Sequence, residues 1–394
     1  MVAWLCDDCF RDISATGAAR AAQGALQRVQ EGRRRQSDPT QLTVGEGRPA
    51  RRDKTEGSPV GRRGARRTTG NDGGPLPVIV TKVVEPRLTA EKLTALHLLT
   101  SVKGLGPVAA LEVFRHAIDP ETILAHPERY PLSGKRASDV IVRIRAITQA
   151  DRDEARAFAE KQVKRARELG VLIMTYDHPH YPPLVKESNN PQPMLWVRGN
   201  SEILKSREAV ACVGSRGLRP PYADLHEGFA AAAVGHGFTV ASGFALGADT
   251  AGHKAAFEKG GQTICVMPCG VDLVFPPENR PLWAELLRSD RAVFISEFPL
   301  GRRAESLTLR KRNKLIVAAS RGVLASQTAA NGGAMNAFRF AIEQKKQVAT
   351  FEADGTEDTT GNEEIGRATK VRATTFPRNG SDLSDRYARW LCGL

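Results

Sequence analysis

Residues 209–217 read AVACVGSRG, and residues 238–247 read FTVASGFALG. In both stretches a short apolar run ends in a glycine-containing loop, and a segment of helical length follows. Similar apolar runs occur at five other places, at residues 171–176, 262–268, 292–297, 322–327 and 347–353. Continuous apolar strands that alternate with helix-length segments are typical of a parallel sheet covered on both faces. The sequence therefore predicts an α/β fold over residues 166–378, with a Rossmann-like, doubly wound, mostly parallel sheet.

Ligands of such sheets bind where the strands end and the helices begin, so the loops at these positions are candidate sites. The first loop contains Gly214, Ser215 and Arg216. Glycine lets a ligand approach the backbone closely, serine offers a hydroxyl, and arginine can hold a phosphate through two parallel N–H groups. These three residues are predicted to bind phosphate.

The second loop contributes Ser242, Gly243, Gly247 and Asp249 to the predicted phosphate site. Its small residues leave backbone N–H groups at a helix start open to an anion. Asp249 is placed as a helix N-cap or as an acceptor for an arginine. His253 follows one helical turn later, which permits an acid–base pair, but two structural side chains are the favoured interpretation.

Two further loops add cations. Paired prolines precede Asn279 and Arg280, which either face the ligand cleft or cap a helix. Residues 310–314 read RKRNK and precede an apolar run, which favours contact with a nucleic-acid backbone over a merely solvated face. The side chains predicted to make this contact are Arg310, Arg312, Asn313 and Lys314.

The chain of 394 residues has 57 Lys or Arg, 44 Asp or Glu and a net charge of +13. This excess indicates a polyanionic partner (DNA, RNA or an acidic membrane surface) or only a basic solubility surface. Residues 31–70 contain eleven Lys or Arg against five Asp or Glu, with few large apolar side chains. Such a segment cannot offset its ordering entropy, so residues 1–77 are predicted to be a disordered basic tail. This tail is either an electrostatic arm for nucleic acid or simply solvated.

Residues 86–165 have apolar positions at three- and four-residue spacing, which predicts a small helical domain. Within it, the Gly-x-Gly turn at 104–106 separates two helical stretches and resembles a helix-hairpin-helix. The N–H groups of such a turn can contact a DNA phosphate, although the glycines also suit a plain helical hairpin. Residues 379–394 are predicted to be a short C-terminal tail.

No run approaches the roughly 18 apolar residues of a membrane span, and two acidic residues stand where a signal peptide would be positive. We therefore expect a soluble, cytoplasmic protein without a membrane partner. Cys6 and Cys9 form a CxxC pair, but no second pair completes a zinc site, so no metal is predicted. We also expect no catalytic residue and no cofactor, since no nucleophile–base–orienter pattern is present.

Taken in order, these motifs resemble the DprA/Smf family of DNA-processing proteins. The resemblance spans about residues 90–370 and is carried by Gly214-Ser215-Arg216, residues 242–253, residues 270–280, SEFPLG at 296–301, Arg312-Asn313-Lys314 running into Ser320, and the segment 181–200. It implies a Rossmann-like domain behind a helical domain of sterile-alpha-motif or hairpin type. It further implies a protein, often a homodimer, that binds single-stranded DNA and helps to load a RecA-like recombinase in recombination or transformation. Arg216 matches a family position that contacts DNA.

The chain departs from the family pattern at four places. Leu246 stands where the family usually has a cation, and Gln327 lies near the position of a family glutamate. Residues 331–336 reproduce the family's SG-x-x-TA poorly, and residues 351–354 replace a VPG. These departures put recombinase loading in question more than they affect the fold or a phosphate-rich ligand.

Two alternatives to a DNA-binding protein stay open. Related Rossmann-like folds include nucleotide phosphoribohydrolases, but residues 331–336 (NGGAMN) lack the glutamate and threonine of the hydrolase signature. The other alternative is a sensor in which the cleft binds a free nucleotide and the basic tail docks a partner.

Overall fold

The computed structural model describes residues 88–189, 191–380 and 382–394. The predicted disordered tail and the CxxC pair lie outside these residues. All seven predicted apolar runs form strands, and two further strands join them in one nine-stranded sheet. The strands are β1 (Leu172–Thr175), β2 (Met194–Gly199), β3 (Ala209–Val213), β4 (Thr239–Ser242), β5 (Thr263–Val266), β6 (Ala292–Ser296), β7 (Gly322–Ala325), β8 (Gln347–Phe351) and β9 (Ala373–Phe376).

The strand order is β1-β2-β6-β5-β4-β3-β7-β8-β9. From β6 to β9 in this order, all neighbours are parallel, which confirms the predicted Rossmann-like sheet. The chain builds outward from β3 through β4, β5 and β6, and then returns to place β7 on the other side of β3. The reversal point of the sheet therefore lies between β3 and β7, where ligands of doubly wound sheets bind.

Strands β1 and β2 form an antiparallel part of the sheet. The apolar pattern alone does not distinguish these strands from the parallel ones. Strand β2 pairs antiparallel with β6, and β1 pairs antiparallel with β2. The connection from β1 to β2 contains only the four-residue helix α6 and not the longer helix that usually crosses between parallel strands, which fits the antiparallel arrangement of this pair.

The helices cover both faces of the sheet and form the domain that precedes it. They are α1 (Ala90–Ser101), α2 (Pro107–Arg115), α3 (Pro120–Ala125), α4 (Lys135–Arg145), α5 (Gln149–Leu169), α6 (Pro183–Lys186), α7 (Tyr222–Gly235), α8 (Ala248–Glu258), α9 (Arg280–Arg288), α10 (Ser306–Ala318), α11 (Ala334–Glu343), α12 (Thr360–Gly366) and α13 (Leu383–Cys392). Short 3₁₀ helices occur at Pro127–Arg129, Ser201–Lys205, Pro277–Asn279 and Glu357–Thr359.

Alternate residues of the central strand show why both faces are apolar. Val210 and Cys212 of β3 pack in the cluster that contains α7 and α13. Ala209, Ala211 and Val213 pack in the cluster that contains α10 and α11. Because successive side chains of a strand point to opposite faces, a strand covered on both sides must be apolar throughout.

The helical domain contains the predicted hairpin, with α1 and α2 joined at Gly104. Gly104 has a φ of +85°, and a Cβ at this position would overlap the guanidinium of Arg143 from α4. Arg143 donates a hydrogen bond to the carbonyl oxygen of Lys103 at 3.1 Å. The backbone conformation therefore favours glycine here, and the open face of the glycine is covered by the arginine. The DNA contact predicted for this turn stays a prediction.

Helix α5 joins the helical domain to the sheet. The side-chain amide of Gln162 exchanges two hydrogen bonds with the backbone of Leu300, at 3.1 and 2.9 Å. One turn later, Arg165 forms an ion pair with the buried carboxylate of Asp272 at 2.6 Å. Asp272 also accepts the Gly301 N–H at 2.9 Å, so α5 is tied to the loop after β6.

The last residues do not extend away from the sheet as a tail. Helix α13 buries Tyr387, Trp390 and Leu391 against the sheet face covered by α7. The ring of Tyr387 lies 4.9 Å from that of Phe376 in β9. Three large apolar side chains at helical spacing account for this packing. Among the residues that the structure describes, no helix is both long and apolar enough to cross a membrane.

Candidate nucleic-acid interface

The loop after β3 and the loop after β7 meet at the reversal point of the sheet. The Ser215 N–H donates to the carbonyl oxygen of Gln327 at 2.7 Å. The Gly217 N–H donates to the Ser215 hydroxyl at 3.0 Å, which closes a tight turn after β3. The side chain of Arg216, between these two anchored residues, is exposed. The turn thus presents a cation at the place where the fold class binds ligands.

The loops after β3 and β4 also touch. The Ala248 N–H, at the start of α8, donates to the Ser215 carbonyl oxygen at 3.0 Å. Gly247 precedes it with a φ of +74°, and a Cβ there would overlap the carbonyl oxygens of Ser215 and Arg216. A Cβ on Gly214 would lie 2.8 Å from the Ala248 methyl group. These glycines therefore permit the close approach of two backbones, in addition to any approach of a ligand.

We expect Gly247→Ala to destabilise the protein more than Gly237→Ala. Both glycines have positive φ, at +74° and +79°, but a Cβ on Gly237 meets nothing within 4 Å. Gly237→Ala should cost only the left-handed backbone term, about 1 kcal/mol. Gly247→Ala should cost about 1–3 kcal/mol more, because two carbonyl groups must move and because its ψ of −123° lies outside the left-handed helical region that alanine tolerates. Urea unfolding of both variants measures the difference, and equal losses would contradict the close packing of the two loops.

Arg312 of α10 is buried rather than presented to solvent, with its side chain 5% exposed. Its guanidinium donates to the carbonyl oxygen of Gly243 and, at 2.9 Å, to that of Val266. These two carbonyls lie at the carboxyl ends of β4 and β5. A Cβ on Gly243 would overlap this guanidinium, so glycine makes room for the arginine here. Arg312 therefore holds the strand ends together from below the surface.

Asp249 is the charged partner of Arg312. One of its carboxylate oxygens lies 3.9 Å from the Arg312 guanidinium and accepts the Ala245 N–H at 3.1 Å. Burial raises the pKa of Asp249, while the positive charges of Arg312 and Arg216 act in the opposite direction. Burial also lowers the pKa of Arg312, and the Asp249 carboxylate opposes that shift. The pair lies beneath Arg216, whose charge acts on both members.

Asn279 is also buried, and its amide supports the second loop. The amide donates to the carbonyl oxygen of Phe244 at 3.0 Å and to the Thr250 hydroxyl at 2.8 Å. Phe244 has a φ of +65°, which costs energy for a bulky residue and needs such support. Both amide hydrogens of Asn279 are thus used within the fold. Ser242 is also buried, and its hydroxyl donates to the Cys212 carbonyl oxygen.

The predicted site residues therefore divide into two layers. Arg216, Arg280 and Arg310 are exposed, as is Lys311 in the same basic segment. Asn313 and Lys314 are half-buried. Asn313 donates to the Gly333 carbonyl at 3.3 Å, and the Lys314 ammonium lies 6.0 Å from the Phe340 ring centre. The buried layer consists of Ser242, Gly243, Asp249, Asn279 and Arg312.

Two polar residues at this edge were not among the predicted site residues. Glu297, after β6, faces Lys311 and Lys314; burial raises its pKa, and the two lysines oppose that rise. Arg219 lies three residues after Arg216 and reaches Asp354 after β8 at 2.7 Å. The position of Arg219 in the same loop as Arg216 was the one sequence signal that could have singled it out.

His253 packs inside the fold. Its Nδ1 lies 2.6 Å from the Thr263 hydroxyl, which itself donates to the Val240 carbonyl oxygen at 2.8 Å. The ring is fully buried against Phe244, at 5.6 Å between ring centres. This environment fits the structural interpretation favoured for the Asp249 and His253 pair. Within the described part of the chain, no three His, Cys, Asp or Glu side chains are grouped to hold a metal.

Comparison with known proteins gives a consistent result. The family model for DNA recombination-mediator protein A matches residues 172–377, just over half of the chain. Protein Smf of Synechocystis sp. is 32% identical over 179 residues, which cover 45% of this chain and 44% of that protein. DNA processing protein DprA of Streptococcus pneumoniae is 30% identical over 168 residues, 43% of this chain and 58% of that protein. The chain spans about half the length of the curated relatives it matches.

A solved structure supports the fold over a longer stretch. The X-ray structure of DNA processing protein A from Streptococcus pneumoniae superposes with a TM-score of 0.55 and 20% sequence identity. The match covers 73% of this chain and 95% of that chain. The shared architecture therefore extends beyond the segment that the family model matches.

Proposed function

Because this chain belongs to the DNA recombination-mediator protein A family, the DprA/Smf family of DNA-processing proteins, we propose that the carboxyl edge of its sheet binds single-stranded DNA. The observation that carries the proposal is the exposed Arg216 at the reversal point between β3 and β7. The buried pair of Arg312 and Asp249 supports the loops below it. Exposed Arg280, Arg310 and Lys311 extend the positive surface from the loop after β5 to α10.

In this proposal most of the affinity comes from the sugar-phosphate backbone. Arginine and lysine side chains neutralise phosphates, and binding releases counterions, so affinity falls as salt rises. Stacking on bases contributes little at Phe244, because its ring is fully buried and lies 5.5 Å from that of Phe294. Leu246, at 39% exposure, adds apolar surface where the family usually has a cation. We therefore expect weak base preference and strong salt dependence.

Arg216→Ala is expected to weaken binding of a labelled single-stranded oligonucleotide by about 5- to 150-fold, equivalent to about 1–3 kcal/mol for a lost charge-assisted contact. Because one phosphate contact disappears, the slope of log K against log salt should fall by about 1. Fluorescence anisotropy across a salt series, with single-stranded and duplex DNA of the same sequence, measures both quantities.

Arg321→Ala is the matched control. Arg321 precedes β7 at the amino edge of the same sheet, and its side chain is 34% exposed. Its removal lowers the net charge equally but leaves the proposed interface intact, so the affinity should stay within twofold of wild type. Equal effects of the two substitutions would show that only net charge matters and would exclude the site at the reversal point.

The proposal extends to a homodimer that helps to load a RecA-like recombinase, and the family description, a DNA recombination-mediator protein, supports a role in recombination. Sedimentation equilibrium of the full chain tests the dimer, and recombinase assembly on the same oligonucleotide tests the loading. A protein that binds DNA but leaves recombinase assembly unchanged would confine the function to DNA binding.

A nucleotide-binding sensor is the alternative that the same experiment can reveal. If DNA binding is absent while nucleoside monophosphates raise the thermal stability, then the cleft takes free nucleotides. Release of a free base from these nucleotides would instead indicate a hydrolase.

A further inference from the structure

The loop that carries Arg216 is held by two neighbouring loops. Besides the contact of Ser215 with the Gln327 carbonyl, the Arg219 N–H donates to the Gln327 side-chain oxygen at 3.0 Å. Gln327 thus accepts a hydrogen bond from each side of Arg216. Its position is set in turn by Asn362 of α12, whose amide bonds the carbonyls of Ser326 and Phe351.

The side chain of Arg219 extends this support to the loop after β8. Its guanidinium donates to a carboxylate oxygen of Asp354 and to the Thr356 hydroxyl, both at 2.7 Å. A carboxylate oxygen of Asp358 lies 3.6 Å away. The guanidinium is therefore engaged by three side chains of one short loop, residues 354–358, and is not directed toward the neighbouring Arg216.

The carboxylate of Asp354 is oriented by donors from its own loop as well as by Arg219. Its other carboxylate oxygen accepts the Thr356 N–H at 3.1 Å, the Thr356 hydroxyl at 2.7 Å and the Thr359 hydroxyl at 2.9 Å. Burial tends to raise the pKa of Asp354, but these donors together with Arg219 outweigh it and hold the pKa well below the usual range. The carboxylate is thus ionised and oriented at neutral pH.

We propose that Asp354 is a positioning residue for DNA binding, acting through Arg219 to hold the loop after β3 so that Arg216 points to solvent. This inference rests on the proposed function at the carboxyl edge. Asp354 itself does not contact the nucleic acid. Residues 351–354 read FEAD where the family pattern has VPG. Asp354 therefore lies in a segment in which this chain differs from the family pattern.

A second ion pair, which also involves a segment next to β3, provides a control. Arg321, before β7, binds Glu208, before β3, through two contacts of 2.8 and 2.7 Å. The arginine side chains of the two pairs are equally exposed, at 35% for Arg219 and 34% for Arg321. The pair of Arg219 and Asp354 joins the loops after β3 and β8 at the carboxyl edge, and the pair of Arg321 and Glu208 joins the segments before β7 and β3 at the amino edge. The carboxylates differ, at 12% exposure for Asp354 and 47% for Glu208. The comparison therefore holds the number of ion pairs constant and changes the position of the pair and the burial of its carboxylate.

The experiment compares Asp354→Ala with Glu208→Ala in the full chain. We expect Asp354→Ala to weaken binding of a labelled single-stranded oligonucleotide at least fivefold, with Glu208→Ala within twofold of wild type. Arg219→Ala should match Asp354→Ala, and the double variant should be no weaker than either single variant. Arg216→Ala should reduce DNA affinity by a smaller factor in the Asp354→Ala background than in wild type. The reason is that a misplaced Arg216 already contributes less to binding.

Trypsin gives a readout that does not depend on DNA. The bond after Arg216 precedes Gly217 and can be cleaved, whereas the bond after Arg219 precedes Pro220 and resists trypsin. If Asp354 holds the loop, Asp354→Ala should be cut after Arg216 at least fivefold faster than wild type or Glu208→Ala. Unchanged cleavage would show that the loop keeps its conformation without Asp354 and would overturn the inference.

The outcomes separate the inference from the function on which it rests. If Arg216→Ala weakens binding and Asp354→Ala does not, the DNA site stands and the positioning role is overturned. If Asp354→Ala binds DNA more tightly than wild type, then Asp354 competes with phosphate for Arg219, and this result also overturns the positioning role. If Arg216→Ala leaves binding unchanged, the proposed interface fails, even where faster cleavage shows that Asp354 holds the loop.

Discussion

Replacing Arg312 with alanine is expected to destabilise the protein by about 3–5 kcal/mol, the usual cost of removing one member of a buried ion pair. The substitution leaves the buried Asp249 without its cation and deprives the Gly243 and Val266 carbonyls of a donor. An uncompensated buried charge costs more than the pair itself contributes. Urea unfolding monitored by intrinsic fluorescence measures the loss.

Arg310→Ala is the control on the same helix. Arg310 lies two residues before Arg312 in α10 but is exposed. Its loss should change the free energy of unfolding by no more than about 0.5 kcal/mol. The double variant Arg312→Met with Asp249→Asn removes both charges and keeps comparable volume, so it should be more stable than Arg312→Ala. Equal stability of Arg312→Ala and Arg310→Ala would contradict a buried structural role for Arg312.

Comparing Arg310→Ala with Arg312→Ala also distinguishes a side chain that contacts DNA from one that only supports the DNA-binding loops. Arg310, being exposed, is available to a phosphate, and its loss should lower affinity with little change in stability. Arg312 is 4% exposed and engaged with two carbonyls and a carboxylate, so its loss should lower affinity only by disturbing the loops. A variant that retained full stability and lost affinity at Arg312 would show instead that the side chain reaches the DNA.

The sheet could be predicted from sequence because its central strands are apolar on both faces. Val210 and Ala211 of β3 face opposite clusters, and both must be apolar there. Strand β2 was missed because Arg198 interrupts its apolar run, although that arginine is fully buried over the Trp283 ring. Strand β9 was missed because it reads ATTF at the edge of the sheet and is only partly buried. The apolar pattern therefore reveals a strand that is buried along its whole length, including β1 at the other edge, more readily than a strand that is partly exposed or contains a charged residue.

The site was predictable as a set of loops but not as two layers. The basic segment 310–314 looks uniform in sequence, yet Arg312 is buried while Arg310 and Lys311 are exposed. Helical spacing carries the missing signal, since Arg312 falls on the same buried stripe as Thr308 and Leu315. The partner of Arg312 could not be found in this way, because Asp249 lies 63 positions earlier and meets it only through the sheet topology.

The stability of the protein is expected to fall by about 4.5 kcal/mol as the pH drops from 6.5 to 4.5, through two buried histidines, because each proton bound only by the unfolded chain contributes up to about 1.36 kcal/mol per pH unit. His226 of α7 and His253 of α8 are both fully buried. Burial lowers the pKa of His226 to about 4 and that of His253 to about 3, from the ordinary 6.5. As the pH falls below 6.5, the unfolded chain approaches full protonation of both histidines, while the folded chain leaves them largely neutral. Their contribution is therefore complete above pH 6.5 and is lost as the pH falls toward the folded values.

The measurement is the slope of unfolding free energy against pH, from urea titrations between pH 6.5 and 4.5. His226→Leu removes one of the two titrating groups, so its slope averaged over this range should be lower than that of wild type by about 1.1 kcal/mol per pH unit. Groups common to both proteins, including the carboxylates, cancel in this difference. If His226→Leu keeps the wild-type slope, His226 binds its proton equally in the folded and the unfolded chain. This result would contradict the burial of its imidazole between α7 and α8.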